Sequence, residues 1–231
     1  MINKIKHLLN LDKQRYIIIG GIQGAGKSTL VEEFENKGYV VVCPDRIRVE
    51  LAKRDHGEDK LEGELQEYLQ SYSHKAFQLS EKRIKENLSN GNSVIFDAVN
   101  STPKRRRQAL RYAEKFNCLK IGLYIECPLD IALERNLKRS QTIMGYNKDN
   151  EPIYGRYVPS HIIKLKDKYQ SLPTKHEGFD EINILHINLK NRNQDNNIKD
   201  TLALLQTSDN LMSTLNYMHE NGKLKEFFLR E

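Results

Sequence analysis

The chain has 231 residues, of which 38% are hydrophobic and 29% charged, with a formal net charge of +6. That length suits one α/β domain with an appendage or two small domains, and the longest apolar runs, such as YIII and VVVC, are too short for a membrane span. The N-terminal MINKIKHLLNLDKQR mixes charges with apolar residues, unlike a signal peptide, so the expectation is a cytoplasmic protein with no membrane partner.

Residues 16–19 are a short β-rich run that feeds the glycines of GGIQGAGKST. Residues 28–36 read as a helix with Leu30, Val31 and Phe34 inward, stopped by Gly38. A buried strand is expected over 39–43 and a helix over 45–54. Leu61, Leu65, Leu69, Tyr72, Ala76, Leu79 and Leu88 keep roughly one face, which predicts a single long helix over 61–88. Then follow a strand at 94–96 ending on Asp97, a helix at 103–116 with Pro103 in its first turn, a strand at 120–126 and a helix at 128–139. The stretch 142–158 breaks the rhythm, being rich in Gly, Asn, Pro and Tyr; it reads as a mobile lid (about 139–158) or an ordered insertion. A helix at 159–169 and a last core strand at 181–187 complete the pattern.

Strands alternating with helices predict an α/β fold, a parallel sheet flanked by helices. The polar LKNRNQDNN reads as a linker, and 198–231 as a small helical addition. The expected division is thus an α/β domain over 1–190 and a linker with helical extension over 191–231. The three cysteines, Cys43, Cys118 and Cys127, have no metal-ligand spacing and read as buried free thiols.

Residues 21–28 fit G-x-x-x-x-G-K-[ST], with a strand before and a helix after. Backbone N–H groups in such a loop point inward at phosphate oxygens, and the following helix N-terminus adds partial positive charge. Gly21, Gly24, Ala25, Gly26, Lys27, Ser28 and Thr29 are therefore the candidate cradle for ATP or another nucleoside triphosphate. Lys27 can reach the β- and γ-phosphates, and Ser28 can place its hydroxyl on Mg²⁺.

The loop alone does not separate kinases from switches and motors. Asp45, at the end of the second apolar run, is a candidate base for an acceptor hydroxyl or an ordinary helix cap. Arg48, three residues on, shares its face and could hold an acceptor phosphate. Asp97 ends SVIFD and is a candidate second support for Mg²⁺, and Asn100, close behind, is a candidate substrate-binding residue. Lys104, Arg105, Arg106 and Arg107 open a helix, where cations oppose the dipole; they read as a substrate-phosphate site or as a solvated basic face. Arg135 and Arg139 lie four apart on one face, suited to donor phosphates or simply to a basic surface helix.

In this order, GIQGAGKST, DRIR, FDAVNSTPKRR and ERNLKR resemble the P-loop polynucleotide kinases, the 5′-hydroxyl kinases of nucleic acid repair within the AAA-type, zeta-toxin-like P-loop kinases. The resemblance spans roughly residues 16–187 and is carried by D-x-x-R and R-N-x-x-R more than by the loop. It implies a P-loop kinase-type sheet, with Lys27 and Ser28 as phosphate and magnesium ligands and Asp45 as general base. It further implies Arg48 on the acceptor's 3′-phosphate, Arg135 on the donor phosphates, and an RNA or DNA 5′-hydroxyl end as partner. Asp97 and Asn100 fall in a stretch similar to the family's D-x-T-N segment, but Val99 stands where some members carry Thr. VPSHIIKLKDKYQSLPTKHEGFDEI is similar to the closing part of such domains. The C-terminal MHENGKLKEF is similar to the lead-in of an HD-type phosphohydrolase domain or a nucleotidyltransferase accessory helix, which implies other repair domains or a longer parent polypeptide as neighbours.

The leading expectation is an ATP-dependent polynucleotide 5′-hydroxyl kinase. Two others stand beside it: a kinase of a small-molecule hydroxyl (nucleoside, sugar nucleotide or antibiotic), and a regulatory module that binds ATP without transferring phosphate.

Overall fold

The computed structural model describes residues 7–8, 13–57, 65, 67–146, 152–154 and 158–187. The chain divides into two compact units, 1–187 and 188–231. The second unit lies outside the described residues, and with it the expected linker and helical extension.

In chain order the elements are β1 (Arg15–Gly20), α1 (Lys27–Glu35), β2 (Val40–Val42), α2 (Pro44–His56), α3 (Ser73–Ser89), β3 (Val94–Asp97) and α4 (Pro103–Tyr112). They continue as β4 (Leu119–Glu126), α5 (Leu129–Gln141), β5 (Ile143–Tyr146), β6 (Pro152–Tyr154), α6 (Ser160–Tyr169), a 3-10 turn (Lys175–Glu177) and β7 (Glu181–His186). Five strands form one parallel sheet in the order β2-β3-β1-β4-β7. This is the expected P-loop kinase-like fold. β1 is central and buried along its whole length, as its apolar run requires of a strand covered on both faces.

Side-chain alternation along the strands splits the core in two. Ile17 and Ile19 of β1 face one way, with Leu30, Val31 and Phe34 of α1 and Ile131 and Ala132 of α5. Tyr16 and Ile18 face the other way, with Ile47 and Leu51 of α2, Ala76 and Ile84 of α3, and Ala109 of α4. The sheet is thus a partition between two sets of helices.

The expected single helix over 61–88 is not formed. Turns with i→i+3 bonds, from Tyr68 N–H to Leu65, Ser71 N–H to Tyr68 and Ser73 N–H to Gln70 carbonyls, precede the α-helix, which begins only at Ser73. Leu65 and Leu69 pack with Ala52 in a small separate cluster, while Ala76, Ile84 and Leu88 join the main core. One apolar period therefore served two surfaces. The helix expected over 103–116 ends earlier, at Tyr112, where Ala113 and Glu114 switch to i→i+3 bonds. The stretch beyond α5 contains an antiparallel hairpin, β5 with β6. The three cysteines are free and buried.

Candidate active site

The phosphate loop connects β1 to α1. Gly26 caps α1 in the left-handed region (φ 95°) and offers no side chain to its first N–H groups. Those orphan donors stay open to an anion, which is what a phosphate cradle needs. Gly24 also has positive φ (85°), and a Cβ there would stand 2.2 Å from the Ala132 carbonyl oxygen, so the loop is pressed onto the first turns of α5. Ala25 is buried and its N–H donates to the Ile22 carbonyl (3.2 Å). Lys27 Nζ donates to the Gly21 and Ile22 carbonyls (2.7 and 2.9 Å), which leaves one of its three protons for a phosphate. Ser28 and Thr29 are exposed at the start of α1. Gln23 Oε1 is buried without a hydrogen-bond partner, an acceptor that sequence reasoning passed over because it stands at a variable position of the motif.

Asp97 closes β3 in register with Ile19, the residue before Gly20, and so stands at the mouth of the loop. Burial pushes its carboxyl up, while Lys27 and a hydrogen bond from Cys43 draw it back. Burial pulls the Lys27 ammonium down, against the opposing pull of Asp97 and Asp45. The Cys43 thiol is pushed up to about 12, by burial first and Asp97 second, so it remains a protonated donor to that carboxylate. The sequence gave no hint of this role for Cys43, because the two residues meet only when β2 and β3 pair. Ser28 and Asp97 together offer hard oxygen donors in the small number that suits Mg²⁺, which takes most of its shell from phosphates and water.

Asp45 lies in the first turn of α2, exposed, and Arg48 Nη1 donates to its Oδ1. The Arg48 side chain is only 12% exposed, its guanidinium lies 5.9 Å from the centre of the Phe77 ring, and its Nε is buried without a partner. Arg135, on α5, donates to the Gly24 carbonyl at 3.4 Å, which brings it to the loop as expected for a donor-side cation. Arg139 is exposed one turn on, and its charge reaches Lys27, although no hydrogen bond joins it to the loop.

Two expected substrate residues are corrected. Arg106 is 1% exposed and cannot meet a substrate phosphate. Its Nε and Nη2 form a two-pronged pair with Glu177 (2.8 Å each), and Nη1 donates to the carbonyls of Ser171 (2.7 Å) and Asn100 (3.2 Å). Burial pushes the Glu177 carboxyl up, but hydrogen bonds from Arg106 and the Thr174 backbone, with the Arg106 charge, leave it below its ordinary value. Asn100 is likewise buried, with φ 43°, and its amide donates to the Ile19 carbonyl (2.8 Å). It pins the end of β1 instead of reaching outward. Arg105 and Lys104 do remain exposed at the start of α4.

The AAA domain family model matches residues 17–149. The L-seryl-tRNA(Sec) kinase of Methanococcus maripaludis is 28% identical over 167 residues, covering 69% of this chain and 54% of that protein. The chain therefore spans about half the length of the curated relative it matches. Among solved structures, a candidate kinase from Chloroflexus aurantiacus superposes with a TM-score of 0.53 at 13% identity, over 84% of this chain and 98% of that one. A chain of the Pnkp1/Rnl/Hen1 RNA repair complex gives a TM-score of 0.50 at 20% identity, over 69% and 45% respectively. At these identities the two structures share the fold. Among the described residues, no helix is long and apolar enough to cross a membrane.

Proposed function

Since the chain belongs to the AAA domain family and has a P-loop kinase-like fold, we propose that it transfers the γ-phosphate of ATP to the 5′-hydroxyl end of RNA or DNA. The observation that carries this reading is the Asp45–Arg48 pair on α2, whose carboxylate acts electrostatically on Lys27 of the phosphate loop. Such a pair beside the loop supplies a base for a hydroxyl and a cation for the phosphate that accompanies it.

Asp45 accepts the hydroxyl proton as the acceptor oxygen bonds to the γ-phosphorus. The bond from that phosphorus to the bridging oxygen breaks, and its electron pair leaves with ADP. Lys27 and Arg135 stabilise the charge spread over the transferring group, from positions fixed before the reaction. Ser28 and Asp97 would hold Mg²⁺, which supplies charge neutralisation on the phosphates when bound. The exposed part of the Arg48 guanidinium would meet a phosphate oxygen of the acceptor.

A second reading has its own support. The curated relative is a kinase of L-seryl-tRNA(Sec), so the acceptor hydroxyl here could belong to a seryl group carried on tRNA. Labelled γ-phosphate transfer to 5′-OH RNA, 5′-OH DNA, seryl-tRNA and a free sugar separates the readings. We expect label on the 5′-OH ends; label on seryl-tRNA or sugar alone overturns the proposal. Asp45→Ala should lower transfer by about 10²–10⁴-fold while ATP affinity holds, the range expected for loss of a general base. Full turnover by that variant removes Asp45 from the mechanism.

A further inference from the structure

An open cleft of about 630 Å³ lies between α3 and α4, beyond the end of β3. This is within the range of about 300–1,000 Å³ seen for small-molecule sites. Its apolar lining is the half-buried Phe77, with Phe96 and Tyr112 nearly buried (2% and 5% exposed) and packed edge to face at 5.9 Å. Lys104 and Arg105 line its other side. Among the described residues neither has an ion-pair partner, although both stand where the α4 dipole opposes a cation. An anion in the cleft would relieve both.

Two contacts tie the cleft to the reaction centre. Phe77 is shared with Arg48, whose Nε is the unsatisfied buried donor described above. Asn100 lines the cleft and also holds the Ile19 carbonyl at the root of the phosphate loop. The lining pairs the half-buried Phe77 ring with polar side chains, among them His74, Thr102 and Gln108. It suits a flat heteroaromatic ring bearing a phosphate.

We infer that this cleft seats the 5′-terminal nucleobase of the acceptor, stacked on Phe77, with a strand phosphate held by Lys104 and Arg105. The inference rests on the polynucleotide reading above, and it assigns Arg105 and Phe77 a role in choosing a nucleic acid end over other hydroxyls.

The test uses the full chain and a 5′-OH oligonucleotide carrying 2-aminopurine as its terminal base. Binding should quench the fluorophore through stacking. Arg105→Glu should weaken binding by about tenfold or more, as expected for a lost charge-assisted contact, and flatten its salt dependence. Phe77→Leu should retain binding with reduced quenching; because Phe77 is half-buried, each variant's melting temperature with ATP is measured alongside. No quenching by the native protein, or quenching and affinity unchanged in Arg105→Glu, overturns the inference. Transfer to the oligonucleotide is measured in parallel and reads the other proposal. Normal transfer with unchanged KM in both variants overturns the cleft alone. Variant-sensitive binding without transfer overturns the kinase assignment and leaves the cleft as a nucleic acid site.

Discussion

The phosphate loop, the donor side in the proposed reaction, and the Asp45–Arg48 pair, its proposed acceptor side, follow the same end of one parallel sheet and are built from different materials. On the donor side the geometry is backbone: left-handed glycines, an uncapped helix start and a loop pressed against Ala132. On the proposed acceptor side it is side chains: Asp45 with Arg48, an orphan guanidinium nitrogen, and the exposed Lys104 and Arg105. A backbone site has few intermediate states, because a displaced peptide unit takes several N–H groups with it. A side-chain site can be altered one contact at a time. Specificity for the phosphate given and for the hydroxyl receiving it should therefore respond differently to mutation.

Gly24→Ala is the severest challenge to that contrast. The added Cβ meets the Ala132 carbonyl oxygen at 2.2 Å from a residue with positive φ, so the loop must leave its position. ATP titration should find no measurable binding, and native affinity in this variant would break the comparison. Next in size is Glu177→Ala, which leaves Arg106 charged and buried and should lower stability by about 3–5 kcal/mol in urea unfolding. The pH dependence has a definite sign. Because the folded Glu177 carboxyl lies below its ordinary value, its contribution is complete above the unfolded value of about 4.3 and disappears as pH falls through the lower folded value. Glu177→Gln should flatten that acid limb; an unaltered limb would place the titration elsewhere. Smallest is Arg135→Ala, a side chain on the donor side. It should lower kcat by about 10²–10³-fold, as for loss of one preorganised donor, with a smaller change in ATP affinity. A loss of ATP binding as complete as that from Gly24→Ala would erase the distinction between backbone and side chain.

The donor half was readable in the sequence because its chemistry is local: eight consecutive residues between a strand and a helix. Asp45 and Arg48 were readable for the same reason, being one helical turn apart. Arg106 was not, since four adjacent basic residues look alike until the helix is given a rotation. That rotation was partly available, because Arg106 shares its face with Ala109 and Leu110, both buried, while Lys104, Arg105 and Arg107 turn outward. What no local pattern could supply was Glu177, 71 residues away. The cleft was invisible for a similar reason: α3 and α4 meet across β3, and the start of α3 was obscured by leucines that serve a different cluster.

The Arg106–Glu177 pair also imposes an order on assembly. A chain made from its N-terminus releases the phosphate loop and Asn100 early, and Arg106 soon after. The carboxylate that compensates Arg106 arrives only when synthesis is nearly through the sheet, just before β7. Until then Arg106 gains by staying in water, and the loop whose Asn100 carbonyl it holds has no reason to settle. Burial of Arg106, and with it the anchoring of the Asn100 carbonyl at the root of the phosphate loop, therefore has to wait for Glu177.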